Sequence, residues 1–71
     1  MAQLTYEQYS KLENAVTRGL RVIIHRRGTE YIVIPLALSS RNGREVIEAR
    51  NPTTGDAMSL FVDEVDSIEP V

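Results

Sequence analysis

The hydrophobic period of this chain changes once, at Gly19, and that change limits the fold more than any other feature of the sequence. Before it, Tyr9, Leu12 and Val16 recur at helical spacing with Ala15 alongside, while Glu7, Lys11, Asn14 and Arg18 fall on the opposite side. Thr5 stands where an N-cap belongs and Gln8 follows three residues later, the pairing that satisfies two backbone N–H groups reciprocally. Leu4 and Tyr9 occupy the staple positions around that cap, and Gly19 suits the left-handed residue that ends a helix. A helix over about 6–18 is therefore predicted, with one apolar stripe to cover the end of a sheet.

After Gly19 the period is two. "LRVIIHRR" alternates Leu20, Val22 and Ile24 with Arg21, Ile23 and His25, and Gly28 with Thr29 reads as the turn into "EYIVIPLAL", which makes a hairpin. The second strand is apolar on both faces from Tyr31 to Leu38, as expected of a central, strongly curved strand. Pro35, which lacks an N–H, is placed at a bend or an unpaired position. Asn42 and Gly43 supply the next turn, "REVIEAR" a third strand with Ile47 and Ala49 on one face, and "NPTTG" another turn. In "AMSLFV", Met58, Leu60 and Val62 alternate inward against Ser59 and Phe61, and "DEV" forms one 3₁₀ turn before "DSIEPV". The prediction is one mainly β domain over 1–71. It has a helix at about 6–18 and a closed five-stranded SH3-like or Sm-like barrel at about 20–70.

At 71 residues the core is thin and a monomer is only marginally stable, which favours a partner or an oligomer. There is no cysteine, which excludes disulfides, thiol nucleophiles and cysteine metal sites and agrees with a cytoplasmic location. The first twenty residues are polar rather than an apolar signal core. No apolar run approaches the roughly 20 residues that span a bilayer, so no membrane association is expected.

The net charge of −2 is unevenly placed: residues 1–50 hold all eight bases and five acids, whereas 51–71 hold five acids and no base. Among the bases, Arg21, His25 and Arg27 share a side of the first strand, Arg26 sits beside its turn and Arg18 is close by. That cluster is the candidate nucleic-acid surface, each phosphate contact adding salt dependence, although no RNA-binding aromatic pair accompanies it. His25 is the sole histidine, and metal sites and acid–base dyads need convergent partners that the sequence does not offer. The acids at 63, 64, 66 and 69 lack the frame of a calcium loop and read as solubilising edge charges. The serines lack a nucleophile elbow, and the glycines form no phosphate cradle. Neither catalysis nor a cofactor is expected.

The order of these pieces resembles a WYL domain, a bacterial Sm-like barrel usually found behind a DNA-binding helix-turn-helix. The likeness runs from about Leu12 to Pro70, through "AVTRGLRVIIHRRG", "VIPLAL", "GREVIEARNPTTGD" and "LFVDEVDSIEP". It implies the barrel fold and a role in regulation. The name motif is degenerate, with Glu45, Val46 and Ile47 at the Trp, Tyr and Leu positions. Positions that in the family are commonly arginine, and are implicated in holding anions or nucleic acid, fall on Met58, Phe61 and Glu64, while Asp63 and Pro70 match. None of the three replacements offers a guanidinium fork. If the chain is complete, it also lacks a helix-turn-helix, and any transcriptional role would be indirect.

One anomaly remains. If Val22, Ile24, Leu60 and Val62 face the core, then Ile23 and Phe61 face away, Val46 does so if Ile47 is inward, and Ile32 or Val33 joins them. Either the helix covers this second face through Tyr9, Leu12 and Val16, or a partner does. The expectation is a non-enzymatic interaction domain of bacterial or phage regulatory type. It binds a protein or itself through Ile23, Val46 and Phe61. The alternatives are a nucleic-acid-binding regulator using Arg21, His25, Arg26 and Arg27, and a small-ligand sensor.

Overall fold

The computed structural model describes residues 4–71. Helix α1 (Tyr6–Arg18) begins at the N-cap Thr5, whose hydroxyl accepts from the Gln8 N–H at 3.2 Å, while the Gln8 side chain accepts from the Thr5 N–H. It ends at Gly19 in the left-handed conformation, φ 66°, as the sequence predicts. Five antiparallel strands follow: β1 (Val22–Arg26), β2 (Thr29–Arg41), β3 (Arg44–Arg50), β4 (Ala57–Phe61) and β5 (Val65–Pro70), the last two joined by a 3₁₀ turn, Val62–Glu64. They form one sheet in the order β4-β3-β2-β1-β5.

The mainly β architecture with an N-terminal helix is as expected, but closure into a barrel is not. β4 and β5 are the two ends of the sheet, linked through the 3₁₀ turn and sharing no ladder. β2 is the spine: its first half pairs with β1, from Thr29 to Val33, and its second half with β3, from Ile34 to Arg41. A register shift between Pro35 and Ala37 makes Leu36 an extra residue and bends the strand there. Pro35 stands opposite Ala49 at that bulge, and its ring is buried, so the predicted bend is where it was placed.

The bend folds the two halves of the sheet over a shared core of Val22, Ile24, Val33, Ile47, Ala49, Leu60, Val62, Val65 and Ile68. Leu12 and Ala15 of α1 belong to the same cluster, and Tyr9 and Val16 pack against it. The helix therefore plugs the inner side of the sheet and packs chiefly on β2 and β5. Leu20, expected to point inward, lies outside β1 and is about half exposed.

Both tight hairpins have two-residue turns with positive φ at each central position, the geometry whose twist matches the flanking strands. Asn42 and Gly43 form one, at φ 52° and 79°, as predicted. The other is Arg27 and Gly28, at φ 49° and 81°, with Arg26 paired to Thr29. The turn thus falls one residue before the expected Gly28 and Thr29, because Thr29 is in the ladder.

Candidate functional site

The strand register assigns the outward side chains directly, since cross-strand partners share a face. Val22 and Ile24 are buried inward, so Ile23 and His25 of β1 face out, opposite Ile32 and Glu30 of β2. Continuing along β2, Ile34 lies outward beside Arg50 of β3, and the bulged Leu36 follows. The result is an aliphatic strip of Ile23, Ile32, Ile34 and Leu36 on the outer face of the β1–β2 hairpin. Ile32 is 52% exposed and Leu36 47% exposed, and Ile23 and Ile34 are partly exposed beside them. Val33, the alternative to Ile32 for this face, has no exposed surface.

The helix does not cover this strip, because its apolar stripe is committed to the opposite side of the sheet. Intramolecular cover by Tyr9, Leu12 and Val16 is thereby corrected.

Of the three predicted contact residues, Ile23 lies in the strip. Val46 does not: it is fully buried, with Ser39 and Phe61 as its cross-strand neighbours. Its expected outward exposure fails because the far half of the sheet carries a polar cover of its own. Phe61 is half-buried, and the Arg44 guanidinium lies 3.7 Å from its ring centroid. Arg44 also donates to both Asp63 carboxylate oxygens, at 2.9 and 2.8 Å, and to Glu64 at 3.3 Å. Beside it, Glu48 accepts from Ser59, Ser39 and Arg41 at 2.7, 3.1 and 2.9 Å. These bonds stabilise the ionised carboxylates: hydrogen bonding from Ser59 and Arg44 respectively holds Glu48 and Asp63 below the usual carboxylate range.

The basic cluster read from the sequence is not gathered on one surface. His25 faces outward, its Nε2 3.8 Å from Glu30 and 3.9 Å from Glu69. Arg26 turns to the other side of β1, donates to the Tyr31 hydroxyl at 2.9 Å and lies over that ring. Arg27 has left the strand for the turn, where its N–H donates to Asp66 and its guanidinium is 3.7 Å from Glu64. Arg21 is exposed and precedes β1. The acidic 51–71 segment therefore folds against the bases of β1 and β3.

Glu64, at one of the positions the family resemblance gives to arginine, bridges Arg44 and Arg27. Phe61 is the platform for Arg44, and Met58 packs against the core. Three shallow clefts hold about 190, 150 and 220 Å³, all smaller than the roughly 300 Å³ at which small-molecule sites usually begin. No helix among the described residues is long and apolar enough to cross a membrane.

The strip was only partly legible in the sequence. Alternation places Ile23, but Leu36 depends on the bulge, which shifts the face of every later residue in β2, and the choice of Ile32 with Ile34 over Val33 depends on the β1–β2 register.

No protein-family model matches this chain, and no curated protein matches it. Among solved structures, it is similar to proteasome accessory factor B/C (PafBC) of Arthrobacter aurescens, with a TM-score of 0.76 and 23% identity. The match covers 99% of this chain and 12% of that one. The likeness shows a shared fold, consistent with the WYL-like fold that the sequence resembles.

Proposed function

We propose that this chain is a regulatory interaction domain without catalysis of its own, which docks onto protein through the outer face of its β1–β2 hairpin. The observation that carries the reading is the half-exposed pair Ile32 and Leu36, continuous with Ile23 and Ile34 on a face that no element among the described residues covers. Full burial of an exposed aliphatic contributes roughly 1.5–3 kcal/mol before the cost of association is subtracted, and the exposed part of each of these four supplies its share of that. β1 is paired on both sides and the exposed aliphatics stand on the face of the sheet, so the docking is face to face.

The regulatory part of the reading draws on the WYL-like resemblance and on the fold shared with the proteasome accessory factor. The nucleic-acid alternative is weaker because His25, Arg26 and Arg27 already face Glu30, Glu69, Tyr31, Glu64 and Asp66.

The test is a photo-crosslinking residue at position 32, with the same residue at position 59 as control, since Ser59 lies on the polar-covered half. Protein adducts are expected from position 32 and not from 59. Equal labelling at the two positions, or none at 32, overturns the reading.

A further inference from the structure

The aliphatic strip has a polarity that identifies its occupant. Ile23 and Ile32 face each other in the row where the aliphatic side chains begin, with Ile34 and Leu36 beyond them along β2. Two residues along β2 in one direction is Glu30, 66% exposed and 3.8 Å from His25. Two residues in the other direction is Ile34, with Arg50 directly across on β3, and Arg21 extends β1 toward the same end. Arg50 and Arg21 are both exposed, and neither forms an ion pair among the described residues. Acidic charge thus lies on one side of the Ile23–Ile32 pair and basic charge on the other, each two residues, or about 7 Å, along the strands from it.

A surface whose charges reverse about one cross-strand pair is complementary to itself about that pair. We propose that this face joins two copies of the chain as a symmetric dimer, with the Ile23–Ile32 pair at the two-fold axis. Glu30 of each copy is set against Arg50 and Arg21 of the other. The inference rests on the docking reading above and names the partner. An isologous contact requires each patch to meet its own copy turned end for end, and Glu30 on β2 lies as far to one side of the Ile23–Ile32 pair as Arg50 on β3 and Arg21 before β1 lie to the other. The aliphatic centre provides the burial, while the exposed charges at the ends fix the register and steer the encounter. Glu69, across β1 from Ile32, lies at the margin, 59% exposed and 3.9 Å from His25. Two copies also relieve the shortage of core in so small a chain.

The experiment is sedimentation equilibrium of the full chain over a concentration series up to about 0.5 mM, a range that detects weak as well as tight association. A monomer–dimer equilibrium is expected, and Ile32→Ser should raise its dissociation constant at least about tenfold. Glu30→Arg and Arg50→Glu should each weaken the dimer several-fold at low salt, and the double variant should recover most of the loss, because reversing both ends restores the pairing. Circular dichroism should show each variant folded, as these side chains are exposed. A monomer at every concentration, a dimer indifferent to Ile32→Ser, or a double variant no better than the singles overturns the proposal. A monomer whose position-32 crosslinks go to a different protein overturns self-association while leaving the docking reading in place.

Discussion

Val46 shows how a single side chain can be buried on the outward side of a strand. Its β3 neighbour Ile47 belongs to the main core, whereas Val46 faces the other way and is shielded where Phe61 and Ser39 flank it and Arg44 lies over Phe61. Alternation in the sequence identifies the side correctly, but it cannot report that a guanidinium and an aromatic ring will close over it. The two outward aliphatics should therefore respond differently to truncation. Val46→Ala should cost about 2 kcal/mol, two methylene equivalents plus a cavity term, while Ile32→Ala should cost less than about 0.5 kcal/mol in dilute solution. Urea denaturation at a concentration well below any self-association checks both, and equal losses would contradict the assigned burial.

At the scale of elements, the hairpin turns are the most exacting part of the fold. The Asn42-Gly43 turn was legible because both residue types tolerate positive φ, whereas Arg27 is an uncommon occupant of that conformation and its turn was misplaced by one residue. The register of β1 and β2 forces it there, with Asp66 and Glu64 holding its backbone and side chain. Arg27→Asn should consequently stabilise the protein, by roughly 0.5 kcal/mol, since easing the backbone outweighs one exposed ion contact. Gly43→Ala should destabilise it by about 1–2 kcal/mol through φ alone, because an added Cβ there meets nothing within 4 Å. Thermal melts of the two variants, shifting in opposite directions, are the check.

For the whole molecule, the charge asymmetry of the sequence becomes an internal complementarity: the acidic final segment packs its 3₁₀ turn and β5 against β3 and β1. The outward half of the sheet is consequently sensitive to acid. Glu48 and Asp63 have folded pKa values below those of the unfolded chain, so their contribution is complete above the ordinary carboxylate range. It is lost as pH falls from about 4.5 through the lowered folded values. Tyr9 behaves oppositely: its hydrogen bond to Glu45 raises it to about 12, so that contribution holds below pH 10 and is lost above it. Stability should be level between about pH 5 and 9 and fall on either side, and Asp63→Asn with Glu48→Gln should flatten the acid limb in denaturant titrations.

The sequence by itself determined the capped helix, the five strands, the inward sets in β1, β3 and β4 and the open question of a second apolar face, because period and turn chemistry are local. Tertiary structure alone decides that β4 and β5 do not pair with each other, that Val46 is covered, that the basic cluster disperses and that Ile32, Ile34 and Leu36 line one strip. Each of these depends on the bulge beyond Pro35 and on which strands become neighbours, and no local pattern encodes either.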